Sequence, residues 1–277
     1  MPPLLSYALV GSPIDHSPSP AMHNAAFQTM NMNAGYKLRP ADSEAAELII
    51  AELRHGKWAG INVTTPLKTI LAPLVVLEGH ASRAKAVNTL WRYGSEVHGA
   101  LTDVDGVKAP LEEAGFQKGQ NALIIGGGGA ARAAAIALDE LGAHINVATR
   151  NPIRGEEFIN KMDLQNPGES ILLSNPKKLE EIFSTSDAII QATPVGMNND
   201  SHQLPWKSTR AGCVAFDMVY RPNKTPFLEN AEAAGCTIIE GWKMLLAQGA
   251  AAQKIWTARE APLDSMAEAL KKELGIN

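Results

Sequence analysis

Residues 121–150 read NALIIGGGGAARAAAIALDELGAHINVATR. An apolar run at 121–126, a four-glycine turn, an Ala-rich helix and a second apolar run at 144–149 follow one another directly. Short apolar runs flanking a glycine turn and a helix predict a βαβ unit with a parallel sheet. A turn that lets the backbone approach a pyrophosphate cannot carry side chains, so Gly126, Gly128 and Gly129 are the residues it requires. Ala131 stands where the third Gly of GxGxxG would fall, a position that needs only close helix–strand packing. Free N–H groups and the macrodipole at the helix start favour the anion. A glycine run alone is weak evidence, with a flexible turn as its alternative; the strand before it and the helix after it favour the dinucleotide site.

The choice of coenzyme is made at the end of the second strand. A site for NAD wants Asp or Glu there, to bond the ribose 2′-OH. This strand ends in Thr149-Arg150-Asn151-Pro152-Ile153-Arg154, with no carboxylate and two guanidinium groups. A carboxylate would repel a 2′-phosphate, whereas Arg grips it bidentately. The expected cofactor is therefore NADP, against the alternative of a solvated basic loop.

Outward from this unit, strand-like and helix-like segments alternate almost throughout, which predicts an α/β fold with largely parallel sheets. Strands are expected at 5–10, 59–63, 186–191, 213–217 and 236–239, and a hairpin at 86–91 and 96–101 around Tyr93-Gly94. Helices are expected at 20–30, 42–54, 241–258 and 262–274, the first with Ser19 as N-cap and Pro20 at its first position. The Gly/Pro/Asn segment 193–205 is too irregular for a strand. At about 150 residues per domain, 277 residues suggest two domains or one large α/β unit.

Composition narrows the function. Hydrophobic residues at 45% and charged residues at 19% describe a globular chain, not a disordered one. A formal net charge of -4 offers no basic field for a nucleic-acid backbone. No apolar stretch reaches the length of a membrane span, and the N-terminus MPPLLSYALVGSPIDHS reads as a first strand rather than a signal peptide. Cys213 and Cys236 stand at the starts of apolar runs, so neither a disulfide scaffold nor a cysteine metal site is expected, and a reducing cytoplasm is the default.

Three polar segments of the first half are oddly placed for ordinary loops. In GSPIDHSPSP (11–20), Ser17 and Ser19 flank a proline at a helix start and form a donor pair suited to a carboxylate; Ser19 could instead only cap the helix. His16 could serve as a base, and His23 reads as a helix residue. In NVTTPLK (62–68), Asn62 and Thr64 alternate on one face at a strand end, where open α/β sheets gather ligands. Lys68 is the general-acid candidate, or a plain surface Lys. The third comprises AVNT (86–89) with Thr102-Asp103, where Asp103 either caps a helix or pairs with Lys68.

Taken together, GSPIDHSPSPAMHN (11–24), NVTTPLK (62–68), AVNT (86–89), TDVDG (102–106), GGGGAAR (126–132), ATPVGM (192–197), DMVYRPNKTPFL (217–228) and GWKMLLAQGA (241–250) resemble the shikimate dehydrogenase family, including its quinate/shikimate members. Eight segments in the right order span nearly the whole chain. The resemblance implies a substrate domain from residues 1–102 and 240–277 and a Rossmann-like NADP-binding domain from 103–239. It implies reversible reduction of 3-dehydroshikimate to shikimate with NADPH, a step of chorismate and aromatic amino-acid biosynthesis. The implied partners are the small-molecule substrate only, with no nucleic acid and no membrane, in a monomer or homodimer and with no metal.

Carried over residue by residue, Lys68 and Asp103 are the implied catalytic pair. Ser17 and Ser19 bind the carboxylate, and Thr64, Asn88, Asp103, Tyr220 and Gln248 contact the rest of the substrate. Gly126, Gly128, Gly129 and Ala130 match the pyrophosphate turn, and Thr149, Arg150 and Arg154 the 2′-phosphate clamp. Thr193, Met218 and Gly241 fall in the motifs on the nicotinamide side. Four positions depart from the family pattern. Lys85 stands where Gly often precedes AVNT, and Leu101 where Asn often precedes TD. The clamp reads Thr149-Arg150-Asn151 instead of Asn-Arg-Thr, and Gln191 begins the segment usually read NATP. The first two lie near the implied substrate hydroxyls, so quinate or an aminated analogue is the alternative substrate.

Overall fold

The computed structural model describes residues 4–276 and divides at two points into compact units. One unit runs up to Thr102 and resumes at Leu246; the other is Asp103–Leu245. The expected domain ends at residues 1–3 and 277 lie outside the described residues, and residues 240–245 fall in the second unit.

The first unit opens with β1 (Leu5–Gly11), α1 (Ser19–Thr29), β2 (Ala34–Pro40), α2 (Ala46–Arg54) and β3 (Gly60–Val63). It continues through α3 (Lys68–Leu71), β4 (Val76–Leu77), α4 (His80–Ala84), β5 (Thr89–Tyr93) and β6 (Glu96–Ala100). Its sheet has the order β2-β1-β3-β5-β6-β4. β1 is parallel to β2 and β3, whereas β5 is antiparallel to β3 and β6, so this sheet is mixed and not simply parallel. The hairpin closes at Tyr93↔Glu96 over Gly94, at a φ of 62° that favours glycine. Residues 86–88, expected in its first strand, lie before β5.

The second unit contains α5 (Asp103–Glu113), β7 (Asn121–Ile125), α6 (Gly129–Glu140), β8 (His144–Thr149), α7 (Pro152–Met162) and β9 (Pro167–Leu172). It goes on with α8 (Pro176–Thr185), β10 (Ala188–Gln191), β11 (Val214–Asp217), α9 (Pro226–Ala233) and β12 (Thr237–Ile239). All its strands pair in parallel, in the order β12-β11-β10-β7-β8-β9. Counted from β7, that is the strand order of dinucleotide-binding sheets, with its switch point between β7 and β10. Ala131, Ala133, Ala134, Ala135 and Ala137 are buried along α6, where small side chains let the helix lie close to the sheet and α5.

Two helices complete the chain: α10 (Gly241–Thr257), which begins in the second unit and ends in the first, and α11 (Leu263–Leu274). α11 packs on α1. The Trp256 indole of α10 donates to the Leu90 carbonyl at 3.1 Å and packs beside Tyr7, Phe27 and Tyr36. Gly249 passes so close to Met22 of α1 that a Cβ there would overlap its side chain. Among the described residues, no helix is long and apolar enough to cross a membrane.

Candidate active site

In the first unit the polar segments gather at the carboxyl ends of β1 and β3. Parallel strands end there with unpaired backbone groups and diverging loops, which is why ligands collect at that edge. A Cβ on Gly11, at the end of β1, would overlap Thr64 Cγ2 and lie 2.7 Å from the Thr65 carbonyl. The absence of a side chain at Gly11 is what lets the 11–19 loop and the 64–68 segment touch. Ser12 N–H donates to the Thr65 carbonyl and Thr64 N–H to the Val10 carbonyl, both at 2.9 Å.

Ser19 is not the cap of α1. It is the first residue of the helix, Pro18 holds the cap position, and Pro20 is second. The Ser17 hydroxyl donates to the Ser19 Oγ at 3.1 Å, which brings the two oxygens together and engages the Ser17 proton. Ser19 is buried and Ser17 half-buried, whereas His16 is exposed.

Asn88 is the node of this edge. Its Oδ1 accepts from Thr102 N–H at 2.7 Å, and its Nδ2 donates to Thr102 Oγ1 at 3.0 Å and to Gln248 Oε1 at 3.3 Å. The sequence names Asn88 and Gln248 but gives no sign that they meet. Thr102, which supplies two of those bonds, carries no assigned role in the sequence reading. Asp103 follows it as the first residue of α5, and is buried. Lys68 opens α3, half-buried, and its carbonyl accepts Val87 N–H at 2.9 Å. The motif NVTTPLK is thereby tied by backbone to AVNT.

Asn62 is different. Its amide accepts from the Tyr36 hydroxyl at 2.9 Å and donates to the Asn88 carbonyl and Thr89 Oγ1 at 3.1 Å. Fully engaged and buried, it braces β3 against β5, and Thr64 alone of the alternating pair lies beyond the strand end. Lys85 adopts φ 51°, ψ 42° at the end of α4. A left-handed backbone costs an L-residue about 1–2 kcal/mol, which accounts for the glycine usual there. Leu101 is buried.

His23 is fully buried in α1, stacked on Tyr36 at 4.3 Å between ring centroids, with Nδ1 3.0 Å from Gln253 Nε2. Burial pushes its pKa down from 6.5 to about 3, so it stays neutral and serves packing. Because the folded value lies below the unfolded one, its contribution to stability is complete above pH 6.5 and falls as pH drops toward 3. Stability is expected to decline by roughly 1 kcal/mol per pH unit below that point. Urea unfolding at several pH values checks this, with His23→Gln giving a flatter profile; equal slopes would assign the acid sensitivity elsewhere.

In the second unit the glycine turn lies at the switch point. Gly126 has φ 124°, and a Cβ there would sit 3.0 Å from both the Ala192 carbonyl and Thr193 Cγ2. Gly128 and Gly129 face open space at the N-terminus of α6, with nothing within 4 Å of the point a Cβ would occupy. A bare turn over a helix start is the shape a pyrophosphate needs, so these residues fit a dinucleotide. Arg150 and Arg154 are exposed beyond β8, and no acid stands at that strand end. The segment read as a basic loop is in part helix: Asn151 caps α7, its Oδ1 accepting from Arg154 N–H at 3.3 Å. The Thr149 hydroxyl donates to the Asn151 carbonyl at 2.7 Å, so its proton is already engaged.

Met218 and Tyr220 are half-buried in the turn after β11. Met218 N–H donates to the Gln191 carbonyl at 3.1 Å. The buried Asp217 carboxylate accepts from Val219 N–H and the Thr225 hydroxyl, and burial pushes its pKa up to about 6. Gly241 lies against this turn, where a Cβ would be 2.6 Å from the Val219 carbonyl carbon; its bareness serves packing.

Comparison with known proteins adds the family. Residues 9–90 match the shikimate dehydrogenase substrate binding domain, and residues 241–271 the shikimate 5'-dehydrogenase C-terminal domain. A shikimate dehydrogenase (NADP(+)) of Synechocystis sp. is 36% identical over 274 residues, covering 96% of this chain and 94% of that protein. A crystal structure of shikimate 5-dehydrogenase from Thermus thermophilus in complex with NADP(H) and shikimate superposes with a TM-score of 0.87 at 32% identity, over 98% of this chain and 100% of that one. The ligand-free 5-ketofructose reductase of a Gluconobacter species superposes at 0.90 with 26% identity, over 98% of this chain and 99% of that one. With a relative of this identity along nearly its whole length, and with the substrate-domain and C-terminal signatures in place, the chain belongs to the shikimate dehydrogenase family.

Proposed function

We propose that this protein is an NADP-dependent oxidoreductase that reversibly reduces 3-dehydroshikimate to shikimate, in the cytoplasm and as a monomer or homodimer. The observation that carries the substrate half of the reading is the polar edge of the first unit. Ser19, whose Oγ accepts the Ser17 proton, offers its own hydroxyl proton to a carboxylate; Thr64 and Gln248 offer hydroxyl and amide groups to a polyhydroxylated ring, and Asn88 positions Gln248 for it. The two free, buried thiols suit a reducing compartment.

NADPH supplies a hydride when bound, held by Gly126, Gly128, Gly129 and Ala130 at the pyrophosphate and by Arg150 and Arg154 at the 2′-phosphate. Thr149, Thr193, Met218 and Gly241 complete the coenzyme side. Reducing a ketone also needs a proton at the forming alkoxide. Lys68 as an ammonium stabilises that oxygen and donates the proton. Asp103 orients the ammonium and accepts a hydrogen bond from a neighbouring substrate hydroxyl, with Tyr220 a further contact. Acid–base assistance of this kind contributes about 10²–10⁴-fold. The residues require no metal for this chemistry.

A second reading has its own observation. Leu101, where the family often has Asn, puts a buried apolar side chain one residue before Thr102 and its bonds to Asn88. A related substrate such as quinate follows from that substitution. A rate matrix of shikimate and quinate, each with NADP and with NAD, decides. Shikimate with NADP is expected to be fastest; faster turnover of quinate, or of either substrate with NAD, would replace the first reading by the second.

A further inference from the structure

We propose that His202 is a specificity residue of the coenzyme site, supplying a second cation beside Arg150 for a ribose 2′-phosphate. The inference rests on the NADP reading above. His202 lies in the loop that follows β10, and that loop is anchored at the glycine turn, since Thr193 occupies the space against Gly126. The His202 ring approaches that same residue, with Nε2 3.4 Å from Thr193 Oγ1. The Thr193 hydroxyl donates its own proton to Gln191 Oε1 at 2.9 Å, so the imidazole must be the donor in the second bond. This fixes a proton on Nε2 and leaves Nδ1 as the nitrogen that can take another.

Two charged groups act on the ring. Asp200, on the same loop, has its carboxylate held by Gly196 N–H at 2.8 Å. Arg150 stands at the end of β8, across β7 from β10 and next to Thr149, whose Cγ2 lies against Gly127 of the glycine turn, and its charge opposes a positive charge on the ring. Burial first, and then the Arg150 charge, hold the imidazole below its ordinary value of 6.5, with Asp200 opposing them in part. Without a ligand His202 is therefore neutral at neutral pH. A dianionic phosphate on Arg150 cancels the repulsion and adds an attraction of its own, which draws a proton onto Nδ1. NAD, lacking that phosphate, leaves the ring as it was.

The ring's pKa is low in the free protein and higher in the NADP complex, so the His202 contribution to NADP affinity is greatest at low pH and falls as pH rises through the complexed value. A rise of one pKa unit on binding corresponds to about a tenfold change in affinity across that window. A coenzyme site that gains charge only when the 2′-phosphate arrives discriminates between the two coenzymes.

The test is calorimetry of NADP⁺ and NAD⁺ binding to the whole protein and to His202→Gln, in buffers of contrasting ionisation enthalpy, between about pH 5.5 and about pH 8. The 2′-phosphate's own proton release on meeting Arg150 is common to both proteins, so their difference isolates His202. The wild type is expected to take up more proton than the variant with NADP⁺, and its NADP⁺ affinity to fall up to about tenfold more steeply with pH. NAD⁺ binding is expected to be alike in both. Equal proton counts and equal pH profiles with NADP⁺ would overturn the inference, as would an equal loss of both coenzymes, which would give His202 only a loop-shaping role. No NADP⁺ binding to either protein would overturn the coenzyme reading itself. A titration of the His202 ring signal in the wild type by NMR, with NADP⁺ and with NAD⁺, asks the same question without a substitution: the apparent pKa should rise only with NADP⁺.

Discussion

Lys68→Ala is expected to lower kcat by about 10²-fold or more, with little change in the shikimate KM. The ammonium meets its full demand only as negative charge develops on the reacting oxygen, so its loss raises the barrier more than it weakens the ground-state complex. Part of the structural contribution of Lys68 is made by its backbone. Its carbonyl accepts Val87 N–H, and that bond survives truncation of the side chain. Leu67 and Leu71, the buried residues on either side, keep α3 in place. Steady-state rates with a thermal melt of the variant therefore separate chemistry from folding. An unchanged kcat would remove Lys68 from the reaction.

Arg150→Ala is expected to raise the KM for NADP by about 10–100-fold while leaving that for NAD within a few-fold. A bidentate, charge-assisted contact to a phosphate is worth about 1.5–3 kcal/mol, which is that range. The side chain is exposed, and α7 is capped by Asn151, so the local backbone does not depend on the guanidinium. Equal loss for both coenzymes would reduce Arg150 to a structural residue. Arg154 lies in the first turn of the helix that Asn151 caps, so the same substitution there is less clean.

What can be read from the chain follows burial. β7, β8, β10 and β11 are almost wholly buried and mostly apolar, and the sequence places their ends to within two residues. β2 and β9 escape it. Both lie at sheet edges, and their sequences, AGYKLRP and PGESIL, expose alternate or successive polar groups as edge strands do. α7 hides behind Asn151-Pro152, which reads as a turn but here is a cap followed by proline in the first helical position.

The site is legible where one short segment carries its own geometry, as the glycine turn does. It is illegible where geometry joins distant segments. Nothing within AVNT or GWKMLLAQGA says that Asn88 Nδ2 meets Gln248 Oε1 across 160 residues of chain. Asn62 stands out as a polar residue in an apolar strand, and the structure gives it a bracing role. Tyr36, its hydroxyl donor, lies on the unread edge strand, which is why that role cannot be seen in the sequence. His202 sits in a segment that reads only as irregular loop, and its approach to Thr193 is what singles it out.

The interrupted chain path of the first unit bears on how the protein is made. Its sheet is complete in sequence by residue 100, yet Gln248, Gln253 and Trp256 supply bonds to Asn88, His23 and Leu90 from the far end of the polypeptide. On the ribosome the half that emerges first waits for the last helices to be translated, while Asp103–Leu245 emerges as one uninterrupted stretch. Loss of the segment from α10 onward would thus cripple a unit whose sheet is translated long before it.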